Sequence, residues 1–117
     1  MSITRLHAGP RMSQAVVHGA TIYLAGQVAD RAKGKSVGDQ TREILATIDM
    51  LLAEAGSDKT RLLSATIYLA DIGTFARMNA EWDAWITAGH APARATVEAK
   101  LAAPEYTVEI ACIAARA

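Results

Sequence analysis

The segment Arg61–Leu69 (RLLSATIYL) alternates like a strand, yet beyond Arg61 neither of its faces carries a charge. Leu63, Ala65, Ile67 and Leu69 point one way; Ser64, Thr66 and Tyr68 point the other. The segment Thr21–Ala25 repeats the pattern, with Thr21, Tyr23 and Ala25 sharing the less apolar face. A sheet face left to water usually carries Lys, Glu, Arg or Asp. Six uncharged residues there mean that both faces of the central strands require an explanation, and this limits the folds available.

Two helices are available as cover. Asp39–Ala55 (DQTREILATIDMLLAEA) places Ile44, Ile48, Leu51 and Ala55 at helical spacing, widened by Leu45 and Leu52, with Asp39 as the expected N-cap and Gly56 as the stop. Phe75–Ala88 is the second helix. Phe75, Met78, Trp82, Trp85 and Ile86 form its apolar face, and Gly89 ends it. Further strands are expected at Ile3–His7, at Ala15–Val17 (joined to Thr21–Ala25 by a turn at His18-Gly19-Ala20), and at Ala93–Ala99 and Tyr106–Ala114 around a turn at Lys100–Pro104. Arg31–Gly38 reads as a surface loop.

The order predicts an α+β fold: a mixed sheet with both helices packed on one face and right-handed crossovers between parallel strands. The second face is then covered by the sheet of another copy, with a closed ring building a barrel-like centre, or it is simply polar and wet. The residues leave both open. At 117 residues and 12.4 kDa, the expectation is one domain over 1–117.

Lys+Arg and Asp+Glu both number 12, so there is no basic surplus to hold phosphates, which argues against a nucleic-acid partner. One cysteine, Cys112, allows no internal disulfide and fits a reducing compartment. No apolar run approaches membrane-spanning length and no signal-type segment opens the chain, so a cytoplasmic protein without membrane association is expected. Phosphate-loop and serine-elbow motifs are absent, and His7, His18, His90 and Cys112 are too scattered for a metal site. Cys112 shares a strand face with Val108 and Ile110, as a buried structural thiol would.

The last two strands carry the chemistry. Arg94, Thr96 and Glu98 share one face of the first; Glu105, Thr107, Glu109 and Ala111 share one face of the second. Paired as an antiparallel hairpin, they would put Arg94 opposite or diagonal to Glu109, within side-chain reach. Such a pair is either a structural ion pair or a carboxylate-binding site. In the second case the arginine fork grips the ligand and the glutamate handles a water.

At this point the sequence resembles a known family. His90-Ala91-Pro92-Ala93-Arg94-Ala95-Thr96-Val97-Glu98 followed by Tyr106-Thr107-Val108-Glu109-Ile110 is similar to the Rid (reactive intermediate deaminase, YjgF/RidA) family. So are Ile22-Tyr23-Leu24-Ala25-Gly26-Gln27-Val28 and Thr66-Ile67-Tyr68-Leu69-Ala70-Asp71 with Phe75, Met78, Asn79 and Trp82; Met78–Gly89 and the AGHAP run resemble its YoaB-type branch.

The resemblance implies a chorismate-mutase-like fold and a homotrimer with sites at subunit interfaces. It implies cofactor-free hydrolysis of 2-enamino or 2-imino acids to 2-keto acids and ammonia. On it, Arg94 grips the substrate carboxylate, Glu109 positions water, and Ala25, Gly26, Asn79 and Thr96 line the pocket, with no metal. The chain departs from the pattern at Arg11-Met12-Ser13, where many relatives carry a tyrosine, and at Ala25, a frequent serine, so an altered pocket is expected. The alternative is a non-catalytic module that senses 2-keto acids in the same cleft. A purely structural interaction protein would require an exposed apolar patch.

Overall fold

The computed structural model describes Met1–Ala117. Six strands, β1 (Ile3–Ala8), β2 (Ser13–His18), β3 (Thr21–Leu24), β4 (Leu62–Leu69), β5 (Ala93–Glu98) and β6 (Val108–Ala115), form one sheet in the order β1-β2-β3-β6-β4-β5. All neighbours are antiparallel except β4 and β5. Helices α1 (Val37–Glu54) and α2 (Phe75–Trp85) pack on the face presented by Ala15, Val17, Ile22, Leu24, Ala65, Ile67, Leu69, Val108, Ile110 and Cys112. The expected α+β arrangement is therefore present.

The closing hairpin is not. β5 pairs with β4 in parallel, with Arg94 level with Ala65, and β6 inserts on the other side of β4, between it and β3. The reason is chain direction. Helix α2 carries the chain back along the sheet, so β5 must run parallel to β4, and β6 finds two unpaired edges between β3 and β4 instead of one beside β5. A position between two strands satisfies both sides of its backbone.

Local differences also have physical causes. A register shift between Leu62 and Ser64 turns Leu62 into the core and leaves Leu63 half exposed, against the expected inward Leu63. The N-cap of α1 is Ser36, whose hydroxyl accepts from the Asp39 N–H, so Asp39 sits in the first turn, where its charge suits the helix dipole. Gly56 takes φ 83° after α1, and the Ser57 N–H returns to the Leu52 carbonyl. Helix α2 stops at Trp85, three residues before Ala88. Ile86 is extended there, and Lys59 Nζ donates to the Trp85 carbonyl at 2.6 Å, placing a cation at the helix end. Met78 and Trp82 are buried as expected, whereas Phe75 remains exposed.

Gln40, fully buried in the first turns of α1, holds two loops together. Its amide donates to the carbonyls of Lys35 (3.0 Å) and Glu105 (2.8 Å), and its oxygen accepts from the Thr107 N–H (2.9 Å). Thr107 precedes β6, so this amide sets where that strand begins. Replacing Gln40 by Ala removes three hydrogen bonds, leaves the Thr107 N–H and the Lys35 carbonyl without this partner while the Glu105 carbonyl keeps the Gly34 N–H, and is expected to cost about 2 kcal/mol in urea unfolding.

Candidate functional site

The residues singled out in the sequence separate into two groups. The first gathers between β5 and α2. Arg94 points to the helix side of the sheet, half-buried, and its Nη1 donates to Asn79 Oδ1 at 2.8 Å. Its guanidinium carbon lies 5.2 Å from the centre of the Trp82 ring and 5.8 Å from that of Phe75. Phe75, Asn79 and Trp82 stand at i, i+4 and i+7, one stripe of α2. Two residues along β5, Thr96 Oγ1 is buried without a hydrogen-bond partner. The chain's ion pairs are His7–Glu54, Arg42–Asp39 and Arg42–Glu81, so Arg94 has no carboxylate of its own.

The second group lies on the other face. Glu109 is level with Tyr68 on β4 and faces away from the helices, as do Thr66 and Ala111. Its carboxylate rests against Gly26, just past the end of β3: a Cβ on Gly26 would stand 3.0 Å from Glu109 Cδ and closer still to Oε2. Ala25 and Gly26 are held by backbone and side chain alike. Ala25 N–H donates to the Gln14 carbonyl, Gln27 exchanges two backbone hydrogen bonds with Ile110, and Gln27 Nε2 donates to Gln14 Oε1 and to the Ala25 carbonyl.

Arg94 and Glu109 therefore do not meet within one chain. The expectation that they lie opposite or diagonal on a shared face is overturned, because β4 stands between their strands and the two side chains project from opposite sides of the sheet. What the chain offers is a guanidinium group on the helix side, Arg94 with Asn79 and Thr96, and a carboxylate group on the other side, Glu109 with Ala25 and Gly26. Cys112 belongs to neither. Burial alone pushes its thiol from the ordinary 9.0 to about 12, consistent with a structural residue.

Residues 2–116 match the family described as Endoribonuclease L-PSP. The RutC family protein YoaB of Escherichia coli is 47% identical over 98% of this chain and 99% of its own length. The RutC family protein of Haemophilus influenzae is 44% identical over 97% and 98%. A crystal structure of a YjgF family member from Neisseria meningitidis covers 100% of this chain and 97% of that one, at TM-score 0.96 and 47% identity.

The chain belongs to this family. As a Rid (YjgF, L-PSP) protein similar to the YoaB-type branch, it has the expected chorismate-mutase-like fold. The resemblance implies one pocket for Arg94, Asn79, Glu109 and Gly26; within one chain Arg94 touches Asn79 and Glu109 touches Gly26, on opposite faces of the sheet. Two members of the arginine's surroundings were assigned only to the apolar face of α2. The available signal was Asn79 itself, a polar residue in the middle of the Phe75–Trp82 stripe. At one departure from the family pattern, Met12 is half exposed in the β1–β2 turn.

Two measurements test these placements. Gly26→Ala must displace the Glu109 carboxylate, since a methyl cannot share its space; the expected result is a moved Glu109 side-chain carboxyl resonance in the NMR spectrum with the fold intact. For Cys112, the raised folded value means folding favours the neutral thiol. That stabilisation is complete below pH 9 and is lost as pH rises towards about 12. A thiol reagent at about pH 8 should therefore react only as the chain unfolds, and Cys112→Ala should flatten the loss of stability above pH 9.

Proposed function

We propose that this protein is a cofactor-free hydrolytic deaminase that converts reactive 2-enamino or 2-imino acids to 2-keto acids and ammonia. The observation that carries the reading is Arg94: a guanidinium set against two aromatic rings, oriented by Asn79, and lacking any anionic partner in its own chain. An arginine fork suits a carboxylate because two parallel N–H groups meet two oxygens. A small 2-imino acid brings that carboxylate next to its reacting carbon.

The chemistry asked of the protein is modest. An enamine tautomerises to the imine, whose carbon is electrophilic, more so when the nitrogen is protonated. Glu109 takes a proton from a water as the water's oxygen bonds to the carbon of the protonated imine and the C=N π pair moves to nitrogen. Glu109 returns that proton to the nitrogen of the carbinolamine, then takes the hydroxyl proton as the C–N bond breaks, leaving the keto acid and ammonia, which carries off the last proton as ammonium. One water is consumed. Orientation supplies much of the rate, and a general base adds roughly 10²–10⁴-fold.

Arg94 and Glu109 project from opposite faces, so the proposed site is shared: the Arg94 half of one protomer meets the Glu109 half of the next. Two different surfaces in contact make a heterologous interface, which gives a ring when the rotation between copies closes and an open filament when it does not. The family resemblance implies a ring of three. Glu109 apart, the outer face of the central strands carries uncharged side chains, and Tyr23 and Val97 on it are about half exposed, which supports coverage by another copy.

A binding module for 2-keto acids is the second reading. It is favoured by the fact that the arginine half is complete within one chain.

The deciding assay generates imines in situ with an amino-acid oxidase and follows their loss. Arg94→Ala should abolish turnover while light scattering still reports the oligomer of the parent; full activity on every imine would end the assignment. Glu109→Gln should lose turnover by about 10²-fold or more and keep 2-keto acid binding. A parent protein that binds 2-keto acids and turns over no imine would establish the sensor reading.

A further inference from the structure

Glu98 closes the Arg94-Ala95-Thr96-Val97-Glu98 run, lies on the same strand face as Arg94, and has no part in the chemistry above. Strand β5 is the sheet edge and has backbone partners only on its β4 side. Its helix-facing residues are thus the means by which it engages α2. At one end, Arg94 donates to Asn79. At the other, Glu98 Oε1 accepts from the Ile72 N–H at 3.0 Å.

Ile72 opens the short 3-10 turn Ile72–Thr74 that leads directly into α2. Within that turn Asp71 already serves the Gly73 N–H at 2.8 Å, and Thr74 Oγ1 donates to the Asp71 carbonyl. The N-cap of α2, Thr74, makes no side-chain capping hydrogen bond. The start of the helix is therefore set by this turn, and the turn is fixed to the strand through Glu98. Phe75 is the first residue of the helix; Asn79 and Trp82 follow on the same stripe, all three against the guanidinium.

We propose that Glu98 is a positioning residue for the Arg94 half-site. Its carboxylate ties the turn before α2 to the edge strand and so holds Phe75, Asn79 and Trp82 at the spacing that orients the guanidinium. The proposal rests on the reading of Arg94 as the carboxylate grip. It explains why one strand face carries both an arginine and a glutamate that do not pair with each other: Arg94 stays free for a ligand because Glu98 is committed to a backbone N–H. The clasp also persists when a ligand draws on the guanidinium, since it does not pass through Arg94.

The test compares Glu98→Ala and Glu98→Gln with the parent in imine turnover, in pyruvate binding followed by tryptophan fluorescence, and in amide hydrogen exchange. Losing an N–H to carboxylate hydrogen bond at an exposed site should raise KM and the pyruvate Kd about five- to tenfold, with kcat within about twofold. Ile72 should exchange faster in the Ala variant. Gln retains an acceptor oxygen and should restore all three. If Gln fails to rescue, the charge and not the hydrogen bond matters, and the proposal falls. If Ala leaves KM, Kd and Ile72 exchange unchanged, the proposal falls while the deaminase reading stands. If the parent turns over no imine but binds pyruvate through Arg94, the deaminase reading falls and Glu98 is judged on Kd alone. If Arg94→Ala binds pyruvate as the parent does, the grip and the clasp fail together.

Discussion

Strand β4 has a parallel neighbour on one side and an antiparallel neighbour on the other, and the placement of the chemistry follows from this. Helix α2 returns the chain along the sheet, so β5 must lie parallel to β4 with its Arg94 side chain on the helix face. Strand β6 arrives antiparallel between β3 and β4, and its apolar residues Val108, Ile110 and Cys112 must enter the core. Period-two alternation then forces Glu109 outward. No side-chain rotation can move a residue through the sheet. A one-residue slip of β6 would bring Glu109 to the helix face at the cost of exposing its four core residues, Val108, Ile110, Cys112 and Ala114, which is why the register is firmly set.

Most of the elements could be read from the sequence because they have strong periodic signals and little competition. Helix α1 spans eighteen residues with one apolar stripe and a glycine stop. The failures are instructive. Ala93–Ala99 and Tyr106–Ala114 are separated by a short turn-like segment, and short separation favours a hairpin; yet the pairing is decided by the unsatisfied edges between β3 and β4, a long-range property that no local pattern carries. Leu63 was placed in the core by alternation, and a single bulge reversed it. In both cases local rules were correct about the strand and silent about its neighbour. The candidate site followed suit: family resemblance singles out Arg94, Asn79, Gly26 and Glu109, but which of them share a face depends on strand order.

The environment of Arg94 differs from that of Arg42 and of Lys59. Arg42 lies between two carboxylates, Asp39 and Glu81, and Lys59 donates to a helix-end carbonyl. These charges are already answered. Arg94 has one neutral amide and two ring faces. Aromatic faces attract a guanidinium through their quadrupoles and remove water from it, without neutralising it. A weakly hydrated, unneutralised fork has more to gain from an incoming carboxylate than one left in bulk water, because the attraction is less screened. The orphan hydroxyl of Thr96 nearby adds a polar group without a partner to the same half-site.

On the proposed function, the placement of Arg94 and Glu109 on opposite faces of one sheet has a consequence for how a shared site is regulated by assembly. Each half is rigid for its own reasons: Glu109 is confined against Gly26, whose missing side chain is what admits the carboxylate, and Arg94 is fixed by α2. If the two halves come from different protomers, ligand binding can survive in a dissociated chain whereas water activation cannot, and activity depends on protein concentration more steeply than 2-keto acid affinity does. A single-chain site would show no such divergence. The separation of the two curves is thus a direct reading of the sheet order, expressed through assembly.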